Sequence, residues 1–239
     1  MTDLTPFPGQ SCERLEGLSP GVILARLAGM SRVRISACSA GVIHERIGPL
    51  ERVVRSGGTA RIEGACHAAT VDLAALSAVV LDRGPLLAGA GSPRLDFLDI
   101  GGVRLFSVMA MGGLGRFERL VTRTCRSPVR FPAGGVSARR SPVRTMPPDD
   151  AARRPFCQRC DTGVEAAITL DRIGLRQSWR GRIEGFTVAM GYLTVETPDF
   201  RLHIAAGAIA RWRPGPDGLA AICPEGRPLG LTLASPALA

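Results

Sequence analysis

Apolar and polar residues alternate between positions 198 and 204, and this pattern predicts a half-buried β-strand. In the run PDFRLHI the apolar side chains share one face of a strand of period two: Phe200, Leu202 and Ile204. The other face then carries Arg201 and His203, so His203, one of three histidines in the chain, is predicted to point away from the core. The Pro/Gly-rich stretch 214–218 predicts a tight turn into a second extended segment, LAAI, and therefore an antiparallel pair.

Apolar residues at helical spacing predict helices beside these extended segments. SPGVILARLAGM offers Ser19 as an N-cap and Pro20 in the first turn. GLGRFERLVTRTC places a set of apolar side chains on one helical face: Leu114, Phe117, Leu120 and Val121. Most of the remaining chain reads as short extended segments separated by Gly and Pro turns, so we expect an α+β fold of antiparallel β-sheets with flanking helices.

Composition places the chain among ordinary globular proteins. It has 239 residues, of which 45% are hydrophobic and 21% charged, enough to bury a substantial core. No apolar run approaches the ~20 residues that span a bilayer, and the first residues lack the basic and apolar regions of a signal peptide. We therefore expect a cytoplasmic protein with no membrane span. Seven cysteines, an odd number, are then best interpreted as reduced thiols.

The positive charge is concentrated in one segment. The formal net charge is +9, and every basic residue is Arg. Residues 123–159 contain nine arginines and two aspartates, a balance of +7, which leaves +2 for the rest of the chain. Repeated Pro, Gly and Ser without periodicity predict a solvated linker over 126–160. Few aromatic residues interleave with its arginines, so we do not expect nucleic acid as a partner.

With the linker set aside, the two halves resemble each other. GVIHERIGPLE, from Gly41, aligns without a gap with GLRQSWRGRIE, from Gly174. Two further pairs follow in the same order, VDLAALSAVV with FRLHIAAGAI and LDFLDIGGVRL with LAAICPEGRPL, at offsets of 133, 129 and 124 residues. Such offsets predict two copies of one unit that have lost loop residues at different places. We expect a first repeat over 18–125, a linker over 126–160 and a shortened second repeat over 161–235.

The same segments resemble the duplicated HemS/ChuX haemin-utilisation family. The first repeat matches through VIHERIGPLERV, RLDFLDIGGVRLFSVM and GRFERLV, and the second through LRQSWRG, TPDFRLHI and PGPDGLAAICPEG. The resemblance implies a pseudo-dimer of two repeats, in which a monomer replaces the homodimer of single-repeat members. It also implies haem as the cofactor, a role in haem uptake and iron acquisition, haem-import or haem-degrading proteins as partners, and haemin degradation as an activity to be tested.

The resemblance supplies five candidate haem-binding residues and no catalytic residue. His203 occupies the position of the family histidine in NLHL, and His67 matches an SGH histidine of single-repeat members. Cys38 stands where those members carry a first-strand histidine, and Arg94 lies one position from an Arg that precedes the LQFF segment. The full set of candidates for contact with haem is His67, His44, His203, Arg94 and Cys38.

Departures from the family pattern leave two alternatives open. The family segment IQIHTG is RQSWRG here, with Trp179 in place of its histidine, and residues 126–167 contain no histidine although long members carry a haem ligand on a helix there. One alternative is a divergent copy that binds no haem and acts as an interaction or regulatory module. The other is a zinc or thiol protein centred on Cys157 and Cys160, whose single CxxC supplies half of a typical zinc site.

Overall fold

The computed structural model describes residues 10–85, 93–112, 114–129 and 145–235. Within these ranges the helices are α1 (Pro20–Arg26), α2 (Leu114–Thr122) and α3 (Arg153–Thr162). The strands, in chain order, are β1 (Gln10–Glu16), β2 (Met30–Ser39), β3 (Val42–Leu50), β4 (Arg52–Ser56), β5 (Thr59–Glu63), β6 (Ala68–Asp72), β7 (Ala78–Pro85), β8 (Arg94–Leu98), β9 (Arg104–Gly112), β10 (Cys125–Pro128), β11 (Ala166–Arg172), β12 (Leu175–Gly181), β13 (Thr187–Ala189), β14 (Tyr192–Thr197), β15 (Phe200–Ala205), β16 (Arg211–Gly215), β17 (Gly218–Ile222) and β18 (Pro228–Ala234). No helix in the described ranges is long and apolar enough to cross a bilayer.

The strands form two antiparallel sheets, and each sheet contains strands from both halves of the sequence. The ten-stranded sheet has the order β10-β1-β7-β8-β9-β2-β3-β15-β14-β13, and the eight-stranded sheet has the order β16-β17-β18-β11-β12-β6-β5-β4. These sheets with their helices confirm the predicted α+β class.

The strand orders also reveal a repeat whose halves exchange strands. Strands β2 to β9 correspond one for one to β11 to β18, because the two sheets have the same order of equivalent strands. In one sheet β3 is followed by β15, β14 and β13, and in the other β12 is followed by β6, β5 and β4. Three strands of each repeat therefore complete the sheet of the other repeat. This reciprocal exchange defines a pseudo-twofold axis between β3 and β12 and gives the pseudo-dimer expected from the sequence.

Strand register tests the three predicted repeat alignments. Gly41 and Gly174 lie in the turns of corresponding hairpins, with left-handed φ angles of +90° and +82°, so the offset of 133 is confirmed. Val42 pairs with Ile204 and Leu175 pairs with Val71. Ile204 is therefore the equivalent of Val71, and the predicted offset of 129 for this pair is wrong by four residues.

The third alignment is confirmed by the same reasoning. Leu95 pairs with Val108, and Leu219 pairs with Leu233. Val108 and Leu233 in turn pair with Ile35 and with its equivalent Ile168. Leu95 and Leu219 thus occupy equivalent places at the predicted offset of 124.

The described part of the predicted linker is folded, which corrects its interpretation as a solvated tether. Residues 125–128 form β10, which pairs with β1 at the edge of the ten-stranded sheet. Phe156 on α3 is fully buried in the core that both repeats share, and Trp212 Nε1 donates a hydrogen bond to the carbonyl of Ala151 at 2.9 Å. Residues 130–144, the centre of the predicted linker, lie outside the described residues, and the repeat boundaries stay a prediction.

Two local predictions are confirmed. In β15 the residues Phe200, Leu202 and Ile204 are buried and the intervening residues are half-exposed. β16 and β17 pair across the predicted turn, with Gly215 opposite Gly218.

Candidate functional site

A polar face of the ten-stranded sheet brings together two of the predicted haem-binding residues. Cys38 on β2 lies opposite Ile43 on β3, and Ile43 lies opposite His203 on β15. Directly opposed residues of antiparallel strands point to the same side of the sheet, so the three side chains form one transverse row. Two strand spacings separate Cys38 from His203, which is about 10 Å. We call this surface, with Cys38, Ile43 and His203 as its central row, the polar face.

His203 lies on the polar face with one ring nitrogen hydrogen-bonded to the neighbouring strand. Its side chain is half-buried, and its Nδ1 lies 2.9 Å from the Thr194 hydroxyl on the neighbouring strand. Burial lowers the pKa of His203, so the ring is neutral at neutral pH. If Nδ1–H donates to Thr194 Oγ1, the Nε2 lone pair is available, because Nε2 has no hydrogen-bond partner among the described residues. Ligating histidines are commonly oriented by such a second hydrogen bond.

Cys38 lies between two arginines that reach it from other elements. Burial raises the pKa of the Cys38 thiol, and the charges of Arg104 and Arg172 oppose this rise. Arg172, the last residue of β11, donates a hydrogen bond to the Cys38 carbonyl. Arg104 lies 3.7 Å from Asp96, whereas Arg172 forms no ion pair with a described carboxylate. Cys38 is therefore a thiol at neutral pH, and Arg172 is the cation with its charge unpaired.

Exposed apolar side chains surround the end of the sheet next to this row. The turns β8–β9 and β13–β14 lie at the same end as the β2–β3 turn because the strands are antiparallel. The β11–β12 turn approaches the same end, since Arg172 contacts Cys38 and Gly174 packs against Leu105. These turns, with the first residue of β14, carry five of the eight large apolar side chains that are exposed in the described chain: Ile100, Val103, Ile173, Met190 and Tyr192. We call this set the apolar rim.

The degree of exposure in the apolar rim is unusual for single surface residues. Ile100 is 92% exposed, Met190 80% and Ile173 77%. Large exposed apolar patches commonly mark ligand or partner sites. The rim and the polar face together present an imidazole, a thiol, a guanidinium and apolar surface at one end of the molecule.

Arg94, predicted to contact haem, is held by two buried carboxylates instead. Its Nη2 lies 2.6 Å from Asp82 Oδ2 and its Nε lies 2.9 Å from Asp96 Oδ1. Asp82 and Asp96 are 7% and 3% exposed. Burial raises the pKa of Asp96, and the charges of Arg94 and Arg104 counteract the rise. Withdrawing Arg94 would break both of these close ion pairs with buried carboxylates, so we give Arg94 a structural role.

His44, another of the predicted haem-binding residues, lies in the core at the pseudo-twofold axis. It is fully buried, while its neighbour Ile43 occupies the polar face. Gln177 Nε2 donates to His44 Nδ1 at 2.8 Å, and His44 Nε2 lies 3.4 Å from the carbonyl of Ile168. Burial lowers the pKa of His44 to about 3. Both ring nitrogens are engaged, which leaves no lone pair for a ligand.

His67 is also enclosed, although one of its nitrogens is unpartnered. It is 1% exposed, and its Nε2 lies 3.2 Å from the carbonyl of Gly48, to which it donates. Its Nδ1 is buried without a hydrogen-bond partner in the described part of the chain. Burial also lowers the pKa of His67. The imidazole is therefore neutral and its Nδ1 lone pair has no described partner, and the residue lines a depression of about 400 Å³ although it is itself almost fully buried.

The CxxC pair lies within α3 and gains no further ligand there. Cys157 and Cys160 are half-buried on a helix that begins at Arg153, so neither lies in its first turn. Burial raises the pKa of Cys160. The described residues contain no cluster of three or more His, Cys, Asp or Glu side chains that could hold a metal ion. The geometry therefore offers no support for the zinc alternative in this part of the chain.

Three features of the site were not predicted: Thr194, Arg172 and the apolar rim. Arg172 reaches Cys38 from a position 134 residues away, so no local pattern identifies it. Thr194 lies nine residues from His203, and its place beside the imidazole depends on the register of the β14–β15 hairpin. The rim had a local signal, because Ile100, Ile173 and Met190 each stand beside turn glycines where polar residues are usual.

Comparison with known proteins finds similarity at the level of structure. No family model matches the chain, and no curated protein sequence matches it significantly. The structure is similar to that of ChuS, described as a heme degrading enzyme of Escherichia coli O157:H7, with a TM-score of 0.73 and 18% identity over 94% of this chain and 81% of ChuS. It is also similar to apo-PhuS, described as a heme-binding protein from Pseudomonas aeruginosa, with a TM-score of 0.69 and 16% identity over 94% of this chain and 81% of PhuS.

These matches define the class of protein by its fold. The chain has the two-repeat α+β fold of ChuS and PhuS over nearly its whole length. The resemblance predicted from the sequence is therefore confirmed as a likeness of fold.

Proposed function

We propose that the chain binds haem, and that it does so on the polar face beside the apolar rim. The observation that carries the proposal is the sharing of fold with ChuS and PhuS, described as heme-degrading and heme-binding, over 94% of the chain. The polar face adds the chemistry that a flat apolar ring with a central iron and two carboxylates requires. The polar face offers donors for the iron, Arg172 offers a cation for a carboxylate, and the apolar rim offers surface for the ring.

His203 is the favoured iron ligand. Its ring is neutral and half-buried, and donation of the Nδ1 proton to Thr194 Oγ1 leaves the Nε2 lone pair free for a ligand. Cys38 ranks second, because a thiolate is the ligating form and burial raises the pKa of this thiol. His67, the strongest candidate from the sequence comparison, ranks below both because it is enclosed.

Arg172 is the favoured partner of a haem propionate in place of Arg94. A guanidinium binds a carboxylate with two parallel hydrogen bonds, and Arg172 has no described carboxylate in ion-pair contact, whereas Arg94 has two. The ring itself would cover part of the apolar rim and remove it from water.

We further propose that the protein receives imported haem in the cytoplasm and passes it on or assists its breakdown. Bound haem would supply the oxidisable porphyrin and the iron, with electrons from an external donor. The residues described here would bind and orient it. A copy without haem that acts as an interaction module is the alternative that the following experiment decides.

Haemin titration followed by the Soret band tests the proposal. We expect saturable binding by the wild type, and for His203→Ala a shifted Soret band with affinity lower by about tenfold or more. Arg172→Ala should weaken binding with little spectral change, because it removes a carboxylate partner and leaves the iron ligand in place. The matched control is Arg201→Ala, since Arg201 lies two residues away on the same face and pairs with Glu196.

Three results would change the conclusion. Absence of a saturable Soret change would remove the haem proposal and favour the interaction module. Binding that survives His203→Ala but is lost in Cys38→Ser would transfer the ligand role to the thiol. Loss only in His67→Ala would transfer the ligand role to that histidine.

A further inference from the structure

We propose that the arginines between α1 and α2 form a binding site for a condensed phosphate anion. Four arginines line one depression of about 470 Å³: Arg26, Arg116, Arg119 and Arg123. Arg26 is the last residue of α1, Arg116 and Arg119 lie on α2, and Arg123 follows the end of α2. Leu120 is the remaining lining residue.

The charges of this cluster are not neutralised by the described protein. None of the four arginines forms an ion pair with a carboxylate of the described ranges. Glu118, the single acidic residue of α2, is 3.0 Å from Arg83 and is therefore occupied elsewhere. Arg119 and Arg123 are four residues apart, and like charges at this spacing destabilise a helix. An anion in the depression would relieve the repulsion.

The backbone at Gly29 leaves room for one of these side chains, Arg116. Gly29, directly before β2, has a φ of +81°, and a Cβ at this position would lie 2.8 Å from Arg116 Nη1. Gly29 therefore leaves the space that the Arg116 guanidinium fills. Gly29 thus has a left-handed backbone conformation that glycine favours, and the Arg116 cation lies against it.

The chemistry of the lining suits a compact, multiply charged phosphate better than a nucleic acid. Guanidinium groups match the oxygens of phosphate in pairs, and several of them can share one multiply charged group. Phe117, the aromatic residue of α2, is fully buried, so α2 offers no ring on which a base could stack. A depression of about 470 Å³ fits a compact ligand. Inorganic polyphosphate and the tail of a nucleoside triphosphate share this chemistry.

The site is separate from the proposed haem site. α1 leads into β2 and β9 leads into α2, and Arg32 at the start of β2 pairs with Gly112 at the end of β9. The cluster therefore lies at the end of the ten-stranded sheet opposite the row that contains Cys38 and His203. Failure of one proposal leaves the other unaffected.

Isothermal titration with sodium tripolyphosphate tests the site on the full chain. We expect saturable binding and a higher melting temperature in its presence. The double variant Arg119→Gln with Arg123→Gln should bind about tenfold more weakly or worse, since it removes two charge-assisted contacts. The matched control, Arg211→Gln with Arg213→Gln, removes the same charge from exposed positions on β16 and should bind within about twofold of wild type.

Further measurements distinguish polyphosphate from a nucleotide as the ligand, and a second variant replaces the first if it does not fold. ATP with an affinity close to that of tripolyphosphate would support recognition of the phosphates alone, and much tighter binding of ATP would support a nucleotide as the source. Without ligand the double variant should melt at or above the wild-type temperature because a repulsion is removed. If it fails to fold, Arg26→Gln on α1 replaces it and should also weaken binding. Equal losses in the two double variants, citrate binding as tight as tripolyphosphate, or no saturable heat would overturn the proposal.

Discussion

Around the pseudo-twofold axis the first repeat places Arg46 and His67 where the second repeat places Trp179 and Phe200. Arg46 pairs with Phe200 across the strands, and at the offset of 133 residues Trp179 is the equivalent of Arg46 and Phe200 that of His67. Trp179 stacks on Phe200 with ring centroids 4.5 Å apart. The backbone is thus repeated, whereas the chemistry of the two sides is different.

The two sides also differ in how well their polar atoms are satisfied. Trp179 Nε1 donates to Asp199 Oδ1 at 3.3 Å. Arg46 reaches the same Asp199 at 2.9 Å through Nη2, but its Nε and the Nδ1 of His67 are buried without described hydrogen-bond partners. Unpartnered buried polar atoms reduce stability. The polar atoms of the aromatic side are the better satisfied. The polar side keeps unpartnered groups whose removal can be tested.

On the axis itself His44 and Gln177, also 133 residues apart, face each other. The hydrogen bond from Gln177 Nε2 to His44 Nδ1 requires a neutral imidazole. Gln177 Nε2 also donates to the carbonyl of His44 at 3.2 Å. This contact between the two repeats therefore forms only when His44 is neutral. Changes to the pair should have the largest effects on the free energy of unfolding.

His44→Ala should produce the largest loss of stability. The substitution opens a cavity in the core and removes the acceptor of the Gln177 amide, so we expect a decrease in the free energy of unfolding of about 3 to 5 kcal/mol. Urea denaturation measures it. His44→Gln makes the axis pair symmetrical and should cost about 1 kcal/mol or less. Equal losses in both variants would show that volume, and not the paired amide, matters at the axis.

Acidification should produce the next largest effect. The folded pKa of His44 is about 3, below its unfolded value, so the unfolded state takes up the proton first. The stability from neutral His44 is complete above about pH 6.5 and is lost as the pH falls, by about 1.4 kcal/mol per pH unit. Between pH 6.5 and 5 the wild type should therefore lose about 2 kcal/mol more than His44→Gln.

The wild type must be compared with His44→Gln because other groups titrate in the same pH range. His67 and His203 have lowered pKa values and act in the same direction, while the raised pKa of Asp96 acts in the opposite direction. These contributions are shared by wild type and variant and cancel in the difference. Parallel stability curves would contradict the assignment of a neutral, buried His44.

Local patterns predicted the parts of this arrangement that depend on neighbouring residues. Alternation placed His203 on the outer face of β15, and turn glycines at 41 and 174 aligned the repeats. The exchange of strands between repeats could not be predicted, because it depends on pairing between segments more than a hundred residues apart. The same holds for Gln177 at His44 and Arg172 at Cys38.

Burial of single residues was the other limit of the sequence interpretation. Phe156 stands in a segment rich in Pro and Arg, yet it is fully buried and packs near Trp212 with ring centroids 6.2 Å apart. His44 and His203 each follow an apolar residue in a strand, but His44 faces the core and His203 faces outward. In a strand such a difference depends on which face the rest of the fold covers.

The smallest expected effect is that of His67→Phe, which would give the first repeat the side chain of the second. The change removes a buried polar nitrogen without a partner, which is favourable, and it also removes the donor to the Gly48 carbonyl, which is unfavourable. Because these terms oppose each other, we expect a change in the free energy of unfolding below about 1 kcal/mol in either direction. Urea denaturation measures it, with His67→Ala as the comparison, since Ala removes the same polar atoms but leaves a cavity and should cost about 2 kcal/mol or more. A loss with Phe as large as that with Ala would show that the polar side of the axis depends on the imidazole itself, and that the two repeats are not interchangeable there.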